Sequence, residues 1–304
     1  WVWSRIRLAA SEWEILGIGL ALGTAASTFS GLAMSMVAGV PWGWTVTPAA
    51  VSVAALVRRL RAGTDRDFEA ERSVSDVSVP AFLGLFVGLL SGLAAIAWAV
   101  RSYPLGSGDW SRFHPDMGFF EALGNSLAFW GPADSIFTPD SLVRYHWLVY
   151  AWSGQVQGTS GAEPFTVLTR VLPVVALIGA VLVAVAWTRE LSRSRWAPAL
   201  AAALLVAGGF VGAGYGNVLN FDSPSIAFTT MSLLAVAWIA GRMTIRHQAA
   251  PTKRWAEVAV LVLLSAMVSG GKVSSAAVAV AVAGLLWLVS LLRSSLDRRG
   301  AALG

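Results

Sequence analysis

Long apolar runs alternate along the chain with short polar or basic segments. Eight runs stand out, at roughly 14–39, 41–57, 80–100, 165–187, 197–213, 225–241, 256–270 and 273–292. Apolar runs of about 17–25 residues cross a ~30 Å hydrocarbon core as helices. The pattern therefore predicts an all-α, polytopic transmembrane helical protein of about eight spans. Gly39-Val40-Pro41-Trp42-Gly43 gives the first two a tight connection. Residues 256–292 are too long for one span, and the turn signal Gly270-Gly271 splits them into a hairpin. Arg5 and Arg7 precede the first run, but that run is too long for a signal peptide and lacks a convincing cleavage site.

Two polar stretches interrupt this pattern. Residues 58–79 carry mixed charge and read as a solvated cytoplasmic linker. They close an N-terminal unit, 1–79, consisting of a transmembrane hairpin and this linker; residues 80–304 form the main transmembrane module. Within that module, residues 101–164 are long for a structureless loop. They predict two amphipathic interfacial helices. The first covers 117–130, with Phe119, Phe120, Leu123, Leu127 and Trp130 near helical spacing and Gly131-Pro132 as the stop. The second covers 142–156 and contains Tyr145, Trp147, Tyr150 and Trp152, residues suited to the membrane–water boundary.

Basic residues orient the chain. With a cytoplasmic N-terminus and eight crossings, seventeen of the 22 basic side chains lie inside. Five lie outside or near the outer surface: Arg101, Arg112, Arg144, Arg170 and Lys272. Adding or removing one span breaks the asymmetry, so both termini of this segment are expected in the cytoplasm. The chain begins with Trp1 and is expected to be part of a longer protein.

Composition agrees with a membrane location. Hydrophobic residues make up 56% and charged residues 13%, with mean hydropathy +0.65. Soluble domains carry about 25% charged residues, so a soluble enzyme and a disordered chain are both disfavoured. The net charge of +5 lies in separated clusters without aromatic interleaving, which argues against nucleic acid. Absence of cysteine removes disulfides, cysteine–zinc sites and thiol nucleophiles.

The outer side gathers the candidate chemistry. Seven acids lie there, Asp109, Asp116, Glu121, Asp134, Asp140, Glu163 and Asp222, and the densest ionisable cluster is His114 to Glu121. A carboxylate above the membrane can act as general base toward a hydroxyl; the structural alternative for Asp116 is a helix N-cap. Asp116 and Glu121 differ by about 140° around a helix and cannot aim at one atom. Arg144 and His146 offer phosphate-matched donors, or, with Tyr145 and Trp147, an interfacial anchor. Arg170 lies within an apolar span about one turn from its outer end, where such a charge faces a cavity or snorkels to the interface. Lys272, one of only two lysines, sits at the hairpin tip. It lacks the GxxxxGK[ST] context of a nucleotide loop. Ser223-Pro224 reads as a helix start, and Asp222 beside it as a second carboxylate. Metal-ligand spacing is absent. Asp116 with Asp222 could hold a divalent cation, magnesium or manganese, but nothing in the spacing requires one.

Asp116-Met117-Gly118-Phe119-Phe120-Glu121-Ala122-Leu123, then Arg144-Tyr145-His146-Trp147, then Gly271-Lys272-Val273-Ser274 resemble the pattern in polytopic glycosyltransferases of the GT-C superfamily, especially large actinobacterial members. The resemblance covers about 80–292. It implies inverting transfer of a sugar from a polyprenyl-phosphate donor to an acceptor hydroxyl of a glycan, lipid or protein. The reaction would occur on the extracytoplasmic side of a bacterial plasma membrane, as part of cell-envelope synthesis. Asp116 matches the catalytic acid of the first outer loop, with Glu121 or Asp222 orienting the acceptor. Arg144, His146, Arg170 and Lys272 would bind the donor phosphate. The chain departs from the superfamily in its smaller size, its lack of a C-terminal outer domain, and the two spans before residue 80. A lipid-linked glycan flippase and a non-catalytic membrane assembly subunit are the alternatives from other classes. The absence of an internal repeat and the one-sided polar residues favour the enzyme over the flippase.

Overall fold

A computed structural model describes residues 12–39, 42–62, 79–102, 116–130, 145–192, 194–207, 223–245, 251–285 and 288. Among these residues the regular structure is entirely helical. The helices are α1 (Glu12–Ala38), α2 (Val46–Ala62), α3 (Val79–Ser102), α4 (Asp116–Trp130), α5 (Leu148–Ser160), α6 (Pro164–Leu191), α7 (Ala197–Ala207), α8 (Pro224–Ile245), α9 (Pro251–Gly271) and α10 (Val273–Leu285). A short 3₁₀ turn, Gly43–Thr45, precedes α2. Within the described residues each of the eight apolar runs overlaps a helix, and parts of 197–213 and 273–292 lie outside them. Three helical stretches, Leu16–Ala38, Pro164–Leu191 and Pro224–Met243, are long and apolar enough to cross a membrane; the other apolar helices are shorter.

The centre of the bundle is α6, apolar around most of its circumference and packed by α1, α3, α7 and α8. The N-terminal α1 is central too. Its Ile18, Ala21 and Ala25 are fully buried, and it also touches α5, α8 and α9. By contrast, α3 is two-faced. Gly84, Gly88 and Gly92 recur every four residues on one side, and a Cβ at Gly84 would sit 2.5 Å from the Ala199 backbone. Glycine there lets α3 and α7 approach backbone to backbone. Phe82, Phe86 and Leu90 form the opposite stripe and are exposed, as are Leu200 and Leu204 of α7. A continuous apolar surface of this kind requires lipid or another apolar cover.

One expectation is corrected. The aromatic helix predicted over 142–156 as an amphipathic surface helix begins at Leu148, and its first eight residues are buried in the bundle. Residues Leu148 to Gln155 are all buried, with Tyr150 0% and Trp152 6% exposed. The physical reason is that α5 carries no charge and finds partners for several of its polar groups within the protein. Gln155 Nε2 donates to Thr28 O at 3.4 Å, Gln157 to Asn125 Oδ1, and Trp44 Nε1 to Thr159 Oγ1 at 2.7 Å. An aromatic helix whose amide N–H groups are taken up by its neighbours gains more by filling the bundle than by lying on it, even with Gln155 Oε1 left without a hydrogen bond among the described residues.

The two ends of the bundle differ. At one end Trp238 Nε1 donates to Glu190 Oε2 at 2.5 Å, and Arg242 Nε lies 3.5 Å from Glu190 Oε1. This ties the C-terminal ends of α6 and α8 together. The N-terminal end of α8 carries the candidate site.

Candidate functional site

Three pieces of chain deliver the site. The first is the start of α4. Met117, Phe120, Leu123 and Leu127 recur at helical spacing and bury one stripe of α4, which packs on α5. That packing fixes the helix and leaves Asp116 exposed in its first turn. The second piece is the non-helical lead into α5. Tyr145 meets Phe119 edge-on at 5.1 Å, and its ring lies 3.7 Å from that of His146. Phe120 stacks on Tyr150 at 4.8 Å.

The third piece is the junction of α9 and α10. Lys272 N–H donates to Val268 O at 3.0 Å, while Lys272 O accepts from Ala276 N–H at 3.1 Å. One helix therefore ends and the next begins at this residue. Gly270 and Gly271 allow the junction to press into its neighbours. A Cβ at Gly270 would strike Leu148, and one at Gly271 would sit 2.3 Å from Thr229 Cγ2. Lys272 Nζ is thereby held 3.4 Å from His146 Nε2 and 3.4 Å from Ser223 Oγ. Ser223 O also accepts the Ile226 N–H at 2.9 Å, so the residue starts α8, as its place before Pro224 predicts.

Electrostatics join Asp116 to this group. Its charge helps to hold the Tyr145 phenol above its usual pKa, after burial, and it partly offsets the lowering that burial imposes on the Lys272 ammonium. Burial, reinforced by Lys272, pushes His146 down to about 4. The imidazole is therefore neutral at neutral pH, and contact with an ammonium assigns Nε2 as the acceptor. The proton of this pair sits on Lys272, whose ammonium lies 3.4 Å from the neutral imidazole. An arriving anion would favour protonation of both.

A titration tests this arrangement. The sequence has three histidines, so a His146→Gln variant assigns the His146 signal in a nuclear magnetic resonance spectrum. We expect its midpoint well below that of an ordinary histidine, near 4. Because the folded-state pKa lies below the unfolded one, His146 favours folding fully above about 6.5. That contribution declines as pH falls through 4. A midpoint near 6.5 would show the ring to be solvated and unpaired with Lys272.

Of the sequence-predicted residues, His146 and Lys272 come together, and Asp116 acts on Lys272 electrostatically. Glu121 faces elsewhere, and burial and then Glu163 raise its carboxyl. Arg170 lies in a π-helical turn, Val167–Val171, where its guanidinium donates to Thr169 O at 3.3 Å. No hydrogen bond or ion pair between described residues joins it to Lys272 or His146. Arg144 and Asp222 lie outside the described residues. Among the described residues no three His, Asp or Glu side chains form a metal-binding group. Tyr150, Ser223 and Ser225 were not among the predicted site residues, although Ser225 and Thr229, one helical turn apart in an apolar run, are a legible hydroxyl pattern. Comparison with protein-family models, curated proteins and solved structures gives no match.

Proposed function

We propose that this chain is a GT-C-type membrane glycosyltransferase of about eight spans, with its site on the extracytoplasmic face of a bacterial plasma membrane. The observation that carries the reading is the basic pair Lys272 and His146 at one end of a helical bundle, with the carboxylate of Asp116 close enough to act electrostatically on Lys272. Asp116 takes the proton of the acceptor hydroxyl, and the acceptor oxygen bonds to the anomeric carbon. The bond from that carbon to the donor phosphate breaks, with inversion. Lys272 and His146 stabilise the charge that collects on the departing polyprenyl phosphate, a fair leaving group that mainly needs positioning and charge stabilisation. Arg144 and Arg170 are further donor-binding residues in this reading, and Glu121 or Asp222 orients the acceptor. No metal is needed for these steps, and magnesium or manganese at Asp116 and Asp222 would be auxiliary.

The test is transfer by the purified chain in proteoliposomes supplied with radiolabelled polyprenyl-phosphate sugars and crude envelope glycans. Label is expected to move to the acceptor with inverted anomeric configuration. Movement of intact donor between leaflets, with no transfer from any donor, would replace the enzyme with a flippase. Neither activity would leave an assembly subunit.

A further inference from the structure

Tyr150 has an unusual hydroxyl. Its ring is held on every side, stacked on Phe120 and 6.3–6.4 Å from the rings of Tyr145 and His146. The residue is 0% exposed, yet its hydroxyl makes no hydrogen bond among the described residues. Buried phenols nearly always find a partner, because a desolvated donor without one opposes folding. Burial also pushes its pKa far up, and a hydrogen-bonding interaction with the Ser225 hydroxyl, which falls short of the geometry of a formed hydrogen bond, offsets part of this. At physiological pH the group is therefore a protonated donor.

The surroundings indicate what it donates to. Ser225 and Ser223 hydroxyls lie 3.4 Å apart, and Ser223 accepts from Lys272 at 3.4 Å. A row of donors thus runs from the ammonium of Lys272 through two serines toward the Tyr150 hydroxyl. Asp116 acts electrostatically on both ends of the row, on Lys272 and on Tyr150. These contacts, at 3.4 Å, are long for hydrogen bonds and leave the hydroxyls able to turn toward another acceptor. We propose that the Tyr150 hydroxyl, assisted by Ser225, donates to an oxygen of a phosphate group whose charge is met by Lys272 and His146. This rests on the reading of Lys272 and His146 as an anion site. It adds a neutral, fully desolvated donor to that site. Such a donor favours a phosphate oxygen lodged deep in the protein over one bound only at the surface.

The experiment uses the full chain in detergent micelles with farnesyl phosphate, inorganic phosphate and farnesol as probes. Thermal unfolding and affinity are measured for wild type, Tyr150→Phe, Ser225→Ala and Lys272→Met. Tyr150→Phe keeps the ring stack and removes only the unpaired hydroxyl. Without ligand its Tm is expected to equal or exceed that of wild type. Its affinity for farnesyl phosphate is expected to fall about tenfold or more, as for loss of a hydrogen bond to a charged group. Its affinity for farnesol should be unchanged. A parallel loss for inorganic phosphate identifies the phosphate group alone as the ligand; a loss seen only with farnesyl phosphate identifies the lipid phosphate.

A Tyr150→Phe variant with unchanged farnesyl phosphate affinity overturns the proposal, whatever its Tm. A lowered ligand-free Tm in that case would assign the hydroxyl a structural partner. Should that variant fail to fold, Ser225→Ala carries the test, with an expected loss of about threefold. Equal binding by wild type and Lys272→Met would instead remove the anion site itself. The two failures are therefore distinguishable.

Discussion

Replacing Asp116 with asparagine is expected to lower sugar transfer about a thousandfold while donor affinity stays within a few-fold of wild type. A positioned general base contributes roughly 10²–10⁴ in rate, and a thousandfold corresponds to about 4 kcal/mol of barrier. The asparagine keeps the size and exposure of the side chain in the first turn of α4 and removes only the proton acceptor. Packing of α4 should be unaffected, because Met117, Phe120, Leu123 and Leu127 anchor it, while Asp116 stands at the exposed first position of the helix and takes no part in that packing. The substitution has a second, smaller consequence. Asp116 partly offsets the lowering of Lys272 by burial, so its loss should lower the lysine's pKa further and weaken anion binding slightly. Single-turnover transfer separates the effects, since the chemical step should carry nearly all of the loss. Wild-type turnover in Asp116→Asn would remove the residue from catalysis.

The parts of this site differ in how far local sequence specifies them. Asp116 is legible because Pro115-Asp116 precedes an apolar helical stripe, which fixes the helix start and so leaves Asp116 at its open end. Lys272 is legible because Gly270-Gly271 ends a helix, leaving the next residue at a junction. Their convergence is not legible, since it depends on which helices pack together. Helices that are apolar all round, such as α6, have no sequence-encoded face, and the central place of α1 follows from packing against α6 over positions such as Ile18 and Ala21. The same ambiguity explains the burial of α5. A charge-free segment rich in tyrosine and tryptophan satisfies an interface and a protein interior equally well. Gln155 meeting Thr28, 127 positions away, then decides for the interior. Tyr150 belongs to this second class. Its role follows from a missing partner, which only packing can reveal.

Replacing Lys272 with methionine is expected to lower transfer 10²- to 10³-fold, through both donor affinity and the chemical step. A preorganised donor aimed at developing charge is worth about 2.7–4 kcal/mol, and Lys272 is placed as such a donor by two backbone hydrogen bonds and two glycine contacts. Methionine preserves the length and apolar stem, so the junction of α9 and α10 should fold as before. Arginine is expected to restore only part of the activity. Its planar fork is wider than an ammonium and cannot occupy a point 3.4 Å from both His146 Nε2 and Ser223 Oγ without displacing one of them. The histidine provides a readout independent of turnover. Lys272 is the second cause of the low His146 pKa, after burial. In Lys272→Met the His146 midpoint should therefore rise above 4 but stay below 6.5, because burial remains. If the midpoint does not move, the two side chains are not in contact and the anion site has to be sought elsewhere. If it moves and transfer persists, the pair is real but the charge on the departing phosphate is met by other groups. Only a moved midpoint together with lost transfer joins the contact at Lys272 to the chemistry proposed for it.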